Sequence, residues 1–320
     1  MHVPPHPLSC PRSRKRGTPM VKWRIAALAL ASLLSGAAPA LADPLKAVAS
    51  FSILGDLVHQ VGGERVAVSV LVGPNGDAHT FSPSPSDARK LADAQLVVVN
   101  GLGFEGWIER LVKASGTRAP VVVASAGVNP IREDAPAHGG HEAHPIDPHA
   151  WQNVANAKLY VAAIRDALVR VDPEGQAAYE DRASAYLAKL DALEAEIRAG
   201  IAAIPEARRR VITTHDAFGY FARAYAMHFI APQGVSSDSE ATAKDVARII
   251  AQVKREKIPA VFLENIADPR LMQQIARESG AKAGGRVFSD ALSEPDGPAP
   301  TYLDMMRHNL REFSAALMPG

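Results

Sequence analysis

Apolar runs of strand length alternate with helical segments along most of this chain. The predicted strands cover residues 45–52, 66–72, 96–99 and 121–123 in the first half, and 210–214, 228–232, 260–263 and 284–288 in the second. Strands that alternate with helices favour parallel sheets that are covered on both faces. The sequence therefore predicts an α/β fold with two sheets, one in each half.

A long helix is predicted between the two halves. Asp172-Pro173-Glu174 is typical of a helix start, with Asp172 as N-cap and Pro173 at the first helical position. Helical spacing then continues to Pro205, and about 30 residues would extend about 45 Å. We therefore expect an N-terminal lobe at 43–172, a linking helix at 173–204 and a C-terminal lobe at 205–320.

The first 42 residues are typical of an export signal. Lys22 and Arg24 precede an apolar stretch at 25–34, which is too short to span a bilayer as a stable helix. Ala40-Leu41-Ala42 fits the small-x-small cleavage rule, so Asp43 would be the first mature residue. A membrane anchor is the alternative interpretation of the apolar stretch.

Two further expectations concern this leader. A signal that starts at Met20 would have the usual length, so we expect translation to start there rather than at Met1. The single cysteine, Cys10, precedes the apolar stretch, whereas a lipoprotein signal needs a cysteine directly after it. We therefore expect no lipid anchor, and a soluble periplasmic protein after cleavage. A mature chain without thiols has no disulfides and no zinc–thiolate site.

The charge of the mature chain argues against nucleic-acid binding. Six of the 35 basic residues and none of the 34 acidic ones lie before Asp43, which leaves 29 against 34 and a net charge of about −5. A mildly acidic chain lacks the basic surface that nucleic acids require.

Three histidines and one aspartate follow predicted strands, either directly or across a loop. They are His79 after 66–72, His149 after 121–123, His215 after 210–214 and Asp290 after 284–288. Because open α/β sheets bind ligands at the carboxyl ends of strands, one site in the cleft between the lobes is the economical arrangement. Three imidazoles and a carboxylate form a complete tetrahedral set for a divalent transition metal. Four protein ligands indicate a metal that is cargo or structural, whereas three would leave a position for catalytic water.

Motifs around these residues carry a family resemblance. They are Gly76-Asp77-Ala78-His79, Pro83-Ser84-Pro85-Ser86-Asp87, Asp147-Pro148-His149-Ala150-Trp151, Thr213-Thr214-His215-Asp216-Ala217-Phe218-Gly219-Tyr220, Gln233-Gly234-Val235-Ser236 and Phe288-Ser289-Asp290. Over nearly all of residues 45–318 the chain resembles the cluster A-I solute-binding proteins (ZnuA-, TroA- and AztC-like) of zinc and manganese ABC importers. The resemblance implies two lobes linked by a rigid helix, with the metal bound between them by His79, His149, His215 and Asp290. It also implies a monomer that is not an enzyme and that serves an ABC permease in the inner membrane.

The choice of metal depends on the third of these positions. Manganese-specific members of the family usually have a carboxylate where this chain has His215. Three nitrogen donors favour Zn²⁺ over the harder Mn²⁺, so zinc is the expected cargo and manganese the alternative. A secreted zinc hydrolase would use three of the four residues and a bound water. Neither an HExxH helix nor a GxSxG elbow occurs to support that reading.

The segment 132–148 is predicted to be an exposed loop, since it contains three prolines, two glycines and no periodicity. It carries His138, His141 and His144, fewer than the long histidine-rich insertion of typical zinc members. Two interpretations stay open. Either the loop collects metal or docks a periplasmic metallochaperone, or it is an ordinary solvated loop.

Four other residues have both a functional and a structural interpretation. Asp77 and Asp216 could accept hydrogen bonds from imidazoles or act as turn and cap residues, and for Asp216 the helix cap is favoured. Glu264 could support the site or close the lobes, or it could be an exposed loop carboxylate. Trp151 could shield the site from water or belong to an ordinary core.

Overall fold

The computed structural model describes residues 43–132 and 146–319. The predicted leader at 1–42, with its cleavage site and Cys10, lies outside the described residues, and so do His138, His141 and His144. Among the helices of the described ranges, none combines the length and the hydropathy that a membrane-crossing segment needs.

The first sheet contains four parallel strands in the order β2-β1-β3-β4. The strands are β1 (Leu45–Phe51), β2 (Val66–Val72), β3 (Leu96–Val99) and β4 (Val121–Val123). Helices α1 (Ser52–Gly62), α2 (Pro85–Ala92) and α3 (Ile108–Ser115) connect them. Strand β3 is buried along its whole length, as its continuous apolar sequence predicts for a parallel strand with both faces covered.

Two long helices follow the first sheet. They are α4 (Val154–Val171) and α5 (Gln176–Ala203), and the 28 residues of α5 extend about 42 Å. Asp172 and Pro173 start the helical segment as predicted, but its first turn is a 3-10 turn. Pro173–Gly175 form a 3-10 turn, and the α-helix begins only at Gln176. The Asp172 carboxylate does not cap the helix, because it accepts hydrogen bonds from Arg65 and Tyr179.

The second sheet repeats the topology of the first, with parallel strands in the order β6-β5-β7-β8. The strands are β5 (Arg210–Ile212), β6 (His228–Ile230), β7 (Ala260–Glu264) and β8 (Lys282–Val287), and the helices are α6 (Gly219–Tyr225), α7 (Ala243–Glu256), α8 (Pro269–Ser279) and α9 (Tyr302–Leu317). Helix α5 packs against α1 and α4 of the first half and against α9 of the second. We call β1–β4 with α1–α4 the first lobe, and β5–β8 with α6–α9 the second lobe. The predicted two-lobe α/β fold is confirmed.

The buried apolar side chains form two clusters. The main cluster runs through the first lobe and α5 and into α9. The minor cluster consists of Ile212, Ile249, Val253, Ile258, Val261, Met272, Ile275 and Ala276. Val211 belongs to the main cluster and its neighbour Ile212 to the minor one, because successive residues of a strand point to opposite faces. One face of the second sheet therefore packs on the main core, and the other packs on α7 and α8.

Candidate metal centre

His79, His149, His215 and Asp290 converge, and their ligand atoms all lie within 4.8 Å of one another. His149 Nε2 is 3.2 Å from His79 Nε2 and 3.4 Å from His215 Nε2. Asp290 Oδ2 is 3.4 Å from His79 Nε2 and 3.2 Å from His215 Nε2, and Asp290 Oδ1 is 3.6 Å from His149 Nε2. The structure thus brings together all four residues that the sequence singled out.

The topology explains this convergence. In the first sheet β1 lies between β2 and β3, and in the second sheet β5 lies between β6 and β7. The connections on the two sides of β1, and on the two sides of β5, therefore leave the sheet in opposite directions. Ligands of such sheets bind where the connections diverge, beyond the carboxyl ends of the strands. His215 lies three residues beyond the end of β5, and Asp290 lies three residues beyond β8. His79 and His149 come from the first lobe, so the two lobes contribute two side chains each.

The four side chains are almost completely removed from water. The exposed fraction is 0% for His149 and Asp290 and 1% for His215, and that of the His79 side chain is 4%. Neither carboxylate oxygen of Asp290 accepts a hydrogen bond from any described residue. A buried carboxylate without donors is costly unless a positive charge compensates it. Protonated His149 and His215 supply that charge in the metal-free protein, and a metal ion between the four side chains would take their place.

Glu264 orients His215. One carboxylate oxygen accepts hydrogen bonds from the backbone N–H groups of Thr214 (2.7 Å) and His215 (3.0 Å), and the other accepts from His215 Nδ1 at 2.5 Å. These bonds also end β5 at Ile212, two residues before the predicted end, because the Thr214 N–H bonds a side chain instead of a neighbouring strand. Glu264 therefore supports the site. It is not an exposed loop carboxylate, because it is buried.

Asp147 does the same for His149 in the first lobe. Its Oδ1 accepts from the backbone N–H of His149 and from His149 Nδ1, both at 2.9 Å. A Cβ atom at Gly219 would meet the Asp147 carboxylate, so a larger residue there would displace the carboxylate from its present position. Sequence reasoning missed Asp147 as a supporting residue. The signal was its position two residues before His149, which allows one carboxylate to reach both backbone and ring of the histidine.

Asp77 has the same spacing to His79 but a different role. Its Oδ1 accepts from the His79 backbone N–H at 2.9 Å, whereas its Oδ2 accepts from the Ser237 hydroxyl of the second lobe at 2.6 Å. It thus acts as a turn residue and as a link between the lobes, not as an acceptor for the imidazole. The favoured interpretation of Asp216 as a helix cap is wrong, because Phe218 is the N-cap of α6 and makes no side-chain cap.

Aromatic rings surround the imidazoles from the first lobe. The ring centroid of Phe104 lies 4.7 Å from that of His79, and the Trp151 centroid lies 5.4 Å from that of His149. Trp151 is fully buried, and its indole N–H donates to the backbone oxygen of Ser289, next to Asp290. Trp151 therefore excludes water from the site and also ties the Asp290 segment to the first lobe.

The electrostatics favour two protonated imidazoles when no metal is bound. Burial, the largest influence, lowers the pKa of His149, but Asp290 and Asp147 outweigh it and raise that pKa to about 9. Burial likewise lowers the pKa of His215, while Glu264 and Asp290 raise it well above its usual value. Burial would raise the pKa of Asp290, yet His215 and His149 hold it well below its usual range. A metal at these ligands must therefore displace protons.

Known proteins resemble this chain in sequence and in fold. The family model described as "Zinc-uptake complex component A periplasmic" matches residues 47–316. The manganese-binding lipoprotein MntA of Halalkalibacterium halodurans is 37% identical over 86% of this chain and 89% of its own length. The iron-binding protein YfeA of Yersinia pestis is 32% identical over 87% of this chain and 90% of its own.

Solved structures agree with these relatives. The periplasmic zinc-binding protein TroA of Treponema pallidum aligns with a TM-score of 0.79 at 29% identity, over 86% of this chain and all of that one. A manganese-bound periplasmic metal-binding protein of Candidatus Liberibacter asiaticus aligns with a TM-score of 0.76 at 28% identity and the same coverage. With its family match, its relatives and its fold in agreement, the chain belongs to the family of the periplasmic component A of zinc-uptake complexes.

Proposed function

We propose that this protein binds Zn²⁺ in the periplasm with His79, His149, His215 and Asp290 and delivers it to an ABC permease in the inner membrane. Membership of the family supports a binding protein for a metal ABC importer, and a set of four donors supports a metal that is carried rather than catalytic. No bond of a substrate needs to be made or broken in this role.

The spacing of the donor atoms carries the proposal for zinc. A tetrahedral zinc ion with bonds of 2.0–2.1 Å to nitrogen holds its ligand atoms about 3.3 Å apart. The five donor-to-donor distances given above lie between 3.2 and 3.6 Å, and the remaining pair, His79 and His215, is within 4.8 Å. Most donor pairs therefore already lie near the spacing of a zinc site. Three imidazole donors also suit zinc better than a hard cation.

Manganese is the second candidate, because the 37% identical relative is named for manganese binding. Iron is a third competitor, because YfeA is named for iron binding. The structural feature that would favour these ions is Asp290, whose two oxygens both face the histidines. Both oxygens could bind one ion and raise its coordination number above four, which suits oxygen-loving metals better than zinc.

The decisive experiment is a metal competition with the mature protein, residues 43–320. Metal content is measured by elemental analysis after purification, and Zn²⁺ is then titrated in the presence of excess Mn²⁺ or Fe²⁺. We expect one tightly held Zn²⁺ that neither ion displaces. Preferential binding of Mn²⁺ or Fe²⁺ would support the proposed site but contradict zinc as the transported metal. The absence of any tightly bound metal would refute the four-ligand site.

A secreted zinc hydrolase is not favoured by any feature of the site. Hydrolysis requires a metal-bound water, and the fourth protein donor here occupies that position. Metal-dependent turnover of ester or peptide substrates by the purified protein would be needed to revive it.

A further inference from the structure

The four ligands are buried, so a metal ion needs a route to them. A cavity of about 680 Å³, lined mainly by the second lobe, borders the ligand His215. Its wall also contains Asp77 of the first lobe, two residues before His79, together with Gln233 and Ser237 of the second lobe. Six waters around a divalent ion occupy about 180 Å³ at their share of liquid volume. The cavity is therefore large enough for a hydrated cation.

A second observation points from this cavity towards the site. Thr214 lines the cavity beside His215, and the residue is 3% exposed. The Thr214 hydroxyl oxygen has no hydrogen-bond partner among the described residues. A buried hydroxyl without a partner is uncommon, because the lost hydrogen bond to water is not replaced. A water molecule that hydrates the incoming ion would form a hydrogen bond with this hydroxyl. The hydroxyl lies beside His215, the first ligand that the ion would meet.

The loop that carries Gln233 and Ser237 is attached unequally to the two lobes. Within the second lobe, Gln233 N–H donates to the Thr214 backbone oxygen at 3.3 Å, and Asp216 N–H donates to the Gly234 oxygen at 3.1 Å. In the described part of the chain, its link to the first lobe is the hydrogen bond from the Ser237 hydroxyl to Asp77 Oδ2 at 2.6 Å. Breaking that bond would remove this link across the cavity without removing a metal ligand.

We infer that this cavity is the route by which a hydrated divalent cation reaches and leaves the four ligands, and that the Ser237–Asp77 hydrogen bond controls passage along it. The inference rests on the proposed function, since it presupposes metal at the four residues. Among the described residues Ser237 makes no hydrogen bond to a ligand side chain, so it acts on the rate of exchange through the position of the loop.

The test is rapid-mixing kinetics on protein expressed from the full chain. Zn²⁺ release is followed with an excess of a chromophoric chelator, and Zn²⁺ uptake is followed with the metal-free protein. Loss of one hydrogen bond to a carboxylate in Ser237→Ala should speed release and uptake by about tenfold each. The equilibrium affinity should then change less than about threefold, because both rates rise together. A merely structural role would weaken affinity without speeding uptake.

Ser236→Ala is the matched control for the loop. The Ser236 hydroxyl accepts from the Asp238 N–H inside the loop and makes no hydrogen bond to the first lobe among the described residues. Its exchange rates should equal those of the unaltered protein. The inference is overturned if Ser237→Ala leaves both rates unchanged, or if Ser236→Ala speeds them equally, since a loosened loop alone would then suffice.

A second pair of variants tests the route itself. Ala241 lines the cavity, so Ala241→Phe should narrow it and slow both uptake and release by about tenfold or more. Ala247→Phe places the same ring on the exposed face of α7 and should change neither rate. Unaltered rates in Ala241→Phe would exclude this route. Zn²⁺ that does not bind the unaltered protein would instead refute the proposed function, so the two failures are distinguishable.

Discussion

The two lobes share one sheet topology but differ in how they hold their ligands. In the first lobe, both faces of the sheet belong to the main core, which continues through α5. In the second lobe, β5 and β7 separate the main core from the minor cluster under α7 and α8. His149 is therefore fixed within one continuous core, whereas His215 follows a strand at the boundary between two clusters. A repeated topology does not imply equal rigidity at the two halves of a site.

The second lobe itself attaches its two ligands differently. The Asp290 segment is tied to the first lobe, because the Trp151 indole and the Gln152 amide both donate to the Ser289 oxygen and the Ser52 hydroxyl accepts from Leu292 N–H. His215 is held instead by Glu264 of its own lobe. We expect His215 to depend on its carboxylate partner more than any other ligand does.

Proton competition should produce the largest effect on metal binding. The pKa of His149 is raised to about 9 and that of His215 is raised as well, so both rings carry protons at neutral pH when no metal is bound. Imidazolium cannot bind metal, so the affinity for metal decreases as the pH falls below about 9. Each proton released changes affinity by about tenfold per pH unit, so two protons give roughly a 10⁴-fold loss from pH 8 to pH 6.

Competition titrations across that range measure the slope directly. The low pKa of Asp290 keeps it ionised throughout, so it adds nothing to the slope. A slope of two in log affinity against pH means that metal binding releases two protons. A transition confined to pH 6.5, the value of a free imidazole, would show that the site does not perturb its histidines.

Removing one ligand should have the next largest effect. Structural zinc sites with four ligands bind with about 10–16 kcal/mol, so one ligand accounts for about 3 kcal/mol, or roughly 100-fold in affinity. We expect this loss for His149→Ala and for His215→Ala, measured by competition against a chelator of known strength. Unchanged affinity in His215→Ala, or a loss below tenfold, would remove that residue from the site.

Much of the fold and the ligand set can be predicted from the sequence. The apolar runs give the strands to within two residues, because buried parallel strands have continuous apolar sequences. The four ligands stand out because each follows a predicted strand, two in each sheet. Asp172 occupies the N-cap position of the first turn as expected, but its carboxylate makes no cap hydrogen bond, because Arg65, more than a hundred residues earlier, binds it. Likewise, only the adjacency of β5 and β7 explains why Glu264 meets His215, since the two are 49 residues apart in the chain.

Replacing the supporting carboxylates should have an intermediate effect on metal affinity, and the effect should differ between the two lobes. Loss of a carboxylate partner of a metal-binding histidine typically costs 10–100-fold in affinity. Glu264→Gln should lie near the upper end, because Glu264 also holds two backbone N–H groups of the Thr214–His215 turn. Asp147→Asn should lie near the lower end, because Trp151 packs beside His149 and restricts its ring. Equal losses in chelator titrations of the two variants would contradict the difference between the lobes.

The two clusters themselves can be compared with one matched pair of substitutions, which should have the smallest effect. Ile197 of α5 lies in the main cluster and Ile249 of α7 in the minor one, and both are fully buried in helices. Deleting one methyl group by Ile→Val costs about 0.5–1.5 kcal/mol in either place. Hydrogen exchange should nevertheless differ. Ile197→Val should speed exchange across both lobes, because the main core is continuous, whereas Ile249→Val should speed it only in α7, α8 and the strands beneath them. Faster exchange across both lobes in Ile249→Val would mean that the second lobe unfolds only together with the first, and His215 would then be as firmly supported as His149.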